Sequence, residues 1–250
     1  EKRSRDPFMA VDLFRKRLFW TGTLCSSLMG AVMFCALSYL PLYVQSVLGA
    51  TPTKAGMVLT PMMLAWVTCS AVAGFLLMRV QYRTLALIGT LLSTLGYALL
   101  ARMHVASAWL EAGVASAVVG AGLGLVMAPL LIAAQNSVGP GRLGAATSLT
   151  QFSRAMMGAI GVALAGAVMS SILSTHGFDP DQIVNPELRK RLDPETAAAM
   201  RGVIAESLNP VFKIGLGAAI LAFLSALLLP AGRARDLRSA EATRTPDSPR

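Results

Sequence analysis

Residues Leu143 to Leu173 read LGAATSLTQFSRAMMGAIGVALAGAVMSSIL, a long and almost uninterrupted apolar run. Within it Arg154 is the only charged side chain. A helix that rises ~1.5 Å per residue needs about 20 apolar residues to cross a hydrocarbon core of ~30 Å. The strands of a membrane barrel would alternate apolar and polar residues, and this stretch does not. We therefore predict that it spans a membrane as a helix.

Apolar blocks of similar length recur on both sides of this stretch. Hydrophobic residues make up 54% of the 250-residue chain and charged residues 14%, against about 25% charged residues in an ordinary globular domain. This composition excludes a disordered chain and most soluble folds, and it predicts an all-α bundle of six transmembrane helices with no β-sheet. The six predicted spans run from Leu18 to Val47, Gly56 to Met78, Thr84 to Leu100, Trp109 to Val138, Leu143 to Leu173 and Val211 to Leu229.

The polar segments outside the spans divide the rest of the chain. We expect a cytoplasmic lead-in over residues 1–17, the bundle over 18–229 with an extracytoplasmic link at 174–209, and a disordered cytoplasmic tail over 230–250. In the link, Asp193-Pro194-Glu195 is typical of a helix start. Apolar residues then recur at helical spacing, which predicts a short amphipathic helix on the membrane surface before the sixth span.

The net charge of +9 is distributed as in a membrane protein. Its basic residues lie mainly in short loops and tails, so nucleic acid is not an expected partner, whereas membrane lipid is. With a cytoplasmic amino terminus, 14 of the 22 basic residues fall on the inner side and 6 on the outer side, Arg154 and Lys213 completing the set. The excess of positive charge predicts that both termini are cytoplasmic.

Arg154 is the most informative single residue. It lies about ten residues into its span, hence ~15 Å along the helix axis. An arginine at this depth is costly unless it faces a wet cavity, a partner or the bundle interior, so it is a candidate for function. The alternative is that its long side chain reaches back to the headgroups. Gln151, one turn earlier on the same face, is a second candidate, and the glycines that follow on this face favour close helix packing.

Five further side chains are candidates for a substrate cavity. Tyr43 and Gln45 lie ~200° apart around the first span, so only one of them can face a central cavity, and Tyr43 is equally suited to anchoring at the interface. Trp66, with nearby methionines, would suit a soft pocket for greasy ligands, or would be an ordinary core or lipid-facing residue. Gln135 and Asn136 either face a cavity or cap their helix.

The spans lack the residues of the common membrane enzymes. Their interiors contain no Asp or Glu, so no proton-carrying carboxylate is evident, and His104 and His176 lie in links. Neither a Ser–His pair at depth nor an HExxH helix occurs, and the cysteines do not have metal-ligand spacing. We therefore expect neither an enzyme nor a metal site, and no cofactor.

Two segments resemble a known family of transporters. LPLYVQSVLGATPTKAGMVLTP, from Leu40 to Pro61, is similar to the segment that joins the first two helices of the carboxy-terminal bundle in fourteen-spanner drug:proton antiporters of the major facilitator superfamily. GAATSLTQFSRAMMGAIGVAL, from Gly144 to Leu164, resembles the penultimate helix, with Gln151 and Arg154 at matching positions. Of the superfamily's loop signature between the second and third helices, Gly74, Arg79 and Arg83 remain.

The resemblance implies half of a transporter. It predicts the carboxy-terminal bundle of a proton-driven exporter of small hydrophobic or cationic drug-like molecules in the bacterial plasma membrane. The proton site would then lie in an amino-terminal bundle absent from this chain, which starts at Glu1 and would be a fragment. The alternative is a half-size or accessory membrane subunit that binds or organises partners without transporting.

Overall fold

The structure is a computed structural model that describes residues 17–104, 107–138, 140–177 and 194–230. Helices occupy most of these residues, none of them is in a strand, and six helical segments are long and apolar enough to cross a membrane. The six-helix architecture predicted from the sequence is therefore confirmed. In chain order the helices are α1 Arg17–Ser46, α2 Pro52–Met57, α3 Thr60–Leu76, α4 Tyr82–Ala101, α5 Trp109–Asn136, α6 Leu143–Thr175 and α7 Pro194–Leu227.

The second predicted span is divided into α2 and α3. Thr51 caps α2, its hydroxyl accepting a hydrogen bond from the Lys54 backbone N–H at 3.4 Å, and Pro52 occupies the first turn. A second proline, Pro61, stands in the first turn of α3. Because proline lacks an N–H and fits the first turn of a helix, the two prolines mark two helix starts.

The predicted helix start at Pro194 is confirmed, but the prediction of a separate amphipathic helix on the membrane surface is wrong. The structure has one helix, α7, that runs from Pro194 through Pro210 to Leu227, so the sixth helix begins well before Val211. Ile204 and Leu208 are buried in the bundle core, and the Asn209 side-chain amide donates to the Ala101 carbonyl at 2.7 Å. Apolar spacing that suits a membrane surface equally suits packing against other helices, and here the packing prevails.

Residues 1–16, 178–193 and 231–250 lie outside the described part of the chain. The predicted lead-in, most of the link and the predicted tail fall there, so those assignments stay predictions.

Helices α1 and α5 form the centre of the bundle. In each of them 61% of the most apolar window is buried, against 17% for the α2–α3 segment and 28% for α6. Helix α5 packs between α3 and α4, whereas α1 packs against α5, α6 and α7. Helices α3 and α6 therefore lie at opposite edges of the α5–α1 pair, with α4 and α7 packed together behind it.

Glycines let α5 approach both of its neighbours. A Cβ on Gly120 would meet the Met62 carbonyl of α3, and one on Gly122 would meet the Gly89 carbonyl of α4. These backbones leave no room for any side chain larger than hydrogen, as expected where helices associate through small residues in lipid. The sequence-based assignment of the α5 glycines to packing is confirmed.

Helices α4 and α7 expose wide aliphatic surfaces. Such surfaces are typical of helices that face lipid tails. The exposed side chains are Ile88, Leu91, Leu95 and Leu99 on α4, and Ile220, Leu221, Leu224 and Leu228 on the last helix and its end.

Candidate functional site

Arg154 lies where α6 packs along α1, and it has a partner on α1. Its Nε and Nη2 atoms both donate to the Ser26 hydroxyl oxygen, at 3.2 and 2.7 Å. Ser26 is fully buried, and Arg154 is half-buried. The two donors fix the plane of the guanidinium relative to α1, because both N–H groups converge on one oxygen.

Small residues create the close contact between α1 and α6. A Cβ on Gly30 would meet the Arg154 carbonyl, and Gly158 lies against the ring of Phe34. The contact continues in the same direction along both helices, for about three and a half turns of α1, and ends where the Tyr39 hydroxyl donates to the Val162 carbonyl at 2.8 Å. The two helices are therefore parallel, and we call their contact the α1–α6 seam, formed by Ser26, Gly30, Phe34 and Tyr39 of α1 with Arg154, Gly158 and Val162 of α6.

The depth of Arg154 follows from its register on α1. At the first end of α1, the Arg17 guanidinium donates to the Leu228 carbonyl at 3.5 Å, and Ser26 comes nine residues later, about 14 Å along the axis. At the other end, the Tyr43 hydroxyl donates to the His104 carbonyl at 2.8 Å. The guanidinium is thus well inside the span and nearer to the end where α1 begins.

The charge of Arg154 is only partly satisfied. A guanidinium has five N–H donors, and the Ser26 hydroxyl accepts two of them. Within the described residues no carboxylate forms an ion pair with it. A neutral hydroxyl orients the group but does not neutralise it, so the site offers a positive charge with N–H groups still to be satisfied.

Gln151 lies on the exposed side of α6. Its side chain is exposed, as are those of Phe152 and Met156, which are 55% and 49% exposed. The buried residues of α6 include Gly158, Gly161 and Ala165, predicted to share a face with Gln151 and Arg154. Arg154 therefore stands at the border between the α1–α6 seam and an uncovered face that carries both polar and apolar side chains.

Tyr43 and Gln45 are not placed together. Tyr43 is fully buried, and its ring meets that of Phe212 edge-on with centroids 6.0 Å apart. With its hydrogen bond to the His104 carbonyl, it holds α1 to α7 and to the link between α4 and α5. Gln45 is half-buried near the end of α1. Trp66 is half-buried against the core, with its carbonyl beside Gly124. None of these three is near Arg154 in register.

Gln135 and Asn136 join the end of α5 to two neighbours. The Gln135 amide donates to the Thr147 hydroxyl of α6 at 3.0 Å, and the Asn136 amide donates to the Tyr82 hydroxyl of α4 at 3.1 Å. Ser137 follows them as the C-terminal cap of α5. Their observed hydrogen bonds therefore connect helices, which neither of the two readings from sequence had anticipated.

The loop residues lie at the surface. Gly74 has no heavy atom within 4 Å of the place where a Cβ would stand, and Arg79 is exposed. Arg83, in the first turn of α4, is half-buried. These residues are separate from Arg154, and they remain candidates on the strength of the resemblance alone. In the described part of the chain no group of three or more His, Cys, Asp or Glu side chains is placed to hold a metal ion.

Ser26 and Tyr97 are two further residues that join helices and that the sequence pattern does not single out. Tyr97 of α4 is fully buried, and its hydroxyl donates to the Val32 carbonyl of α1 at 2.5 Å. A signal for Ser26 existed, because it precedes Gly30 by one helical turn and places a hydroxyl next to a small residue on one face. Pairing that face with Arg154 required the tertiary contact between α1 and α6.

Comparison with known proteins identifies the family. A model of the Major Facilitator Superfamily matches residues 1–162, more than half of the chain. The chain belongs to the Major Facilitator Superfamily. Members of this superfamily are membrane transporters, so the expectation of a transporter component and not an enzyme is confirmed.

Curated relatives of the chain are multidrug transporters. It is 31% identical to the multidrug transporter protein MdtP of Bacillus subtilis over 171 residues, which cover 68% of this chain and 32% of that protein. It is 27% identical to multidrug resistance protein 3 of the same organism, over 98% of this chain and 51% of that protein. The chain thus spans about half or less of the length of these relatives.

Solved structures show the same fold. A bacterial homologue of the human lysosomal transporter Spinster, inward-facing and occupied, superposes with a TM-score of 0.66 at 16% identity, over 87% of this chain and 50% of that one. The Escherichia coli fucose:proton symporter gives 0.65 at 17% identity, over 85% and 49%. In both cases the chain covers about half of the solved transporter.

Proposed function

We propose that this bundle is the carboxy-terminal half of a proton-coupled exporter of drug-like molecules that works by alternating access. The single observation that carries the proposal is the position of Arg154, a partly satisfied charge deep in the span at the border of an uncovered face. Placing such a charge inside the membrane is costly, and the interactions that offset this cost must come from water, a substrate or another protein surface. Similarity to multidrug transporters supports drug-like substrates, small and hydrophobic or cationic.

The partner is an amino-terminal bundle, and it meets this one through α3 and α6. These two helices are the least buried, and beside exposed apolar side chains such as Phe75 each carries an exposed polar one, Thr68 of α3 and Gln151 of α6. The exposed faces of α4 and of the part of α7 after Lys213 carry large aliphatic side chains and suit lipid. The mid-membrane site would then lie between the two halves, as in other transporters built from repeated bundles.

The proton site lies outside the described spans of this chain. No carboxylate pairs with Arg154 among the described residues, so a titrating acid at that depth is assigned to the amino-terminal bundle. The proton gradient is the energy source. A cationic substrate would also need that acid, since the only charge at this depth of the α1–α6 seam is positive.

Substitutions of Arg154 in the complete exporter test the proposal. Arg154→Ala should reduce transport at least about tenfold with normal membrane insertion, because the oriented donor fork is lost. Arg154→Lys should retain only part of the wild-type transport rate, since an ammonium cannot reproduce the paired donation to Ser26. Transport of a fluorescent substrate into inverted vesicles, at matched abundance, is the measurement. Wild-type rates in Arg154→Leu would show that the side chain only reaches for the headgroups and would end the functional assignment.

The orientation is tested separately. From the similarity to bacterial multidrug transporters we propose the bacterial plasma membrane, and from the distribution of positive charge we propose that both termini are cytoplasmic. A single cysteine at Ser248 should be protected from an impermeant maleimide in intact cells, whereas one at Thr175 should react. Labelling at Ser248 from outside would overturn the orientation while leaving the transport proposal intact.

A further inference from the structure

A cavity lies between the end of α4 and the beginning of α5, far from Arg154. Its volume is about 430 Å³, within the ~300–1,000 Å³ of ordinary ligand pockets. Met103 and Ser107, both buried, lie beneath it, and Leu99, Leu110 and Val114 form its apolar walls. Those three wall residues are 44%, 69% and 51% exposed, so the cavity opens toward the side of the bundle that faces lipid.

The cavity is at the level of the membrane surface. Helix α4 ends at Ala101 and α5 begins at Trp109, so the polar residues between them mark the end of two spans. Trp109 is 43% exposed at this level. Tryptophan is enriched where headgroups meet acyl chains, which places the apolar walls beside the acyl region and the polar rim beside the headgroups.

Two opposite charges line the cavity without meeting. Arg102 and Glu111 are both lining residues with exposed side chains. In the part of the chain that the structure describes, neither side chain forms an ion pair or a hydrogen bond. A guanidinium binds phosphate through planar paired donors, and a carboxylate accepts hydrogen bonds from an ammonium. Two such groups in one cavity are complementary to a ligand that carries both charges.

A third polar residue, His104, is held in place at the rim. Its Nδ1 atom lies 3.3 Å from the Ser107 hydroxyl, and its carbonyl accepts a hydrogen bond from the buried Tyr43 hydroxyl at 2.8 Å. The Tyr43 contact joins the rim to α1, since Tyr43 belongs to that helix. The rim of the cavity is therefore in direct contact with the end of a central helix.

We propose that this cavity binds an aminophospholipid, a lipid whose headgroup has a phosphate and a primary ammonium. Arg102 binds the phosphate, Glu111 accepts hydrogen bonds from the ammonium, and the acyl chains lie along Leu99, Leu110 and Val114. Charge complementarity selects the headgroup, and the exposed apolar walls select a lipid over a soluble zwitterion. A headgroup methylated on nitrogen would lose the N–H donors that Glu111 needs.

The test is native mass spectrometry of the intact protein with equal amounts of phosphatidylethanolamine and phosphatidylcholine of identical acyl chains. The wild type should retain the ethanolamine lipid roughly three- to tenfold better, the range expected for one charge-assisted hydrogen bond at a partly exposed site. Glu111→Gln should bring that ratio close to one. Arg102→Gln should reduce retention of both lipids. The ratio within one sample does not depend on how much of a variant is folded.

Two further measurements show whether the effect belongs to this cavity and whether the whole lipid or only its headgroup is bound. Arg201→Gln and Glu206→Gln make the same charge changes at exposed positions of α7 that do not line the cavity, and they should leave the ratio unchanged. Soluble glycerophosphoethanolamine should not displace the lipid at comparable concentration. Equal retention of the two lipids by the wild type, an equal effect of the α7 variants, or displacement by the soluble headgroup would each overturn the proposal.

Discussion

The α1–α6 seam and the contact between α4 and α5 are built from the same kind of residue but serve different ends. In both, a glycine brings one backbone against the next: Gly30 against Arg154, and Gly122 against Gly89. In both, a serine is buried at the contact. Ser26 accepts two hydrogen bonds from Arg154, whereas Ser93 on α4 has no hydrogen-bond partner for its hydroxyl.

Close packing does not by itself mark a functional site. Small residues permit close approach wherever helices associate in lipid. What distinguishes the α1–α6 seam is a charge that needs a partner and stands beside an uncovered face. Around Gly89, Ser93 and Gly122 the α4–α5 contact has neither, and we assign that part of it to folding alone.

The largest expected effect is on the α4–α5 contact. Gly122→Ala would place a methyl group against the Gly89 carbonyl and within 2.7 Å of the Ser93 backbone nitrogen, so two helices must separate. We expect a loss of about 3 kcal/mol in unfolding free energy, at the upper end for overpacking. The apparent melting temperature in detergent, read by size-exclusion chromatography after heating, should fall accordingly.

A control on α6 isolates the packing cost. Gly144→Ala puts the same methyl group where no heavy atom lies within 4 Å, and it should leave the melting temperature unchanged or slightly raised. Equal melting temperatures for the two variants would show that α4 and α5 are less closely packed than the structure has them.

The intermediate effect is on the α1–α6 seam. Ser26→Ala removes the acceptor of two Arg154 donors, so the guanidinium loses its orientation and part of its hydrogen bonding. We expect about 1.5–3 kcal/mol of destabilisation, the range for a hydrogen bond to a charged group, together with a several-fold loss of transport by the complete exporter.

Ser27→Ala is the matched control for Ser26. The Ser27 hydroxyl donates to the Thr23 carbonyl of its own helix at 2.7 Å and has no role toward Arg154. Transport by this variant should stay close to wild type. If Ser26→Ala and Ser27→Ala behave alike, the seam is a packing contact like that of α4 and α5, and the distinction between them fails.

The smallest effect has the opposite sign. Ser93→Ala removes a buried hydroxyl that has no partner, so unfolding free energy should be unchanged or rise by up to about 1 kcal/mol. Ser116→Ala on α5 is the comparison, because its buried hydroxyl donates to the Val58 carbonyl at 2.9 Å. Thermal melting of both variants in one detergent should give changes of opposite direction. A clear loss of stability in Ser93→Ala would mean that its hydroxyl is satisfied after all.

The six spans were readable from the sequence because each one must be long and apolar to cross a membrane, a requirement that acts on consecutive residues. The charge at Arg154 stood out for the same reason, since a basic residue inside such a stretch is costly. Glycine spacing likewise indicated packing, because the residues that permit close approach repeat along one helix face.

Partners across helices were decided only by the tertiary structure. Gln135 and Asn136 could not be assigned from their position, and the structure gives them Thr147 and Tyr82, residues 12 and 54 positions away. The apolar spacing before Pro210 fitted a membrane surface and a helix core equally, and burial of Ile204 and Leu208 selected the core.

The amino-acid order is thus sufficient to locate the membrane-spanning segments and the charge inside one of them. That Ser26 orients this charge, and that Arg102 and Glu111 line one cavity, follows from how the helices pack. Each residue of a span contributes its own free energy of transfer from water into the membrane, so the local composition of the sequence indicates the spans. A hydrogen bond or a cavity between helices depends on how two helices are shifted and rotated relative to each other. Composition does not reveal this, because lipid-facing and helix-facing surfaces are both apolar.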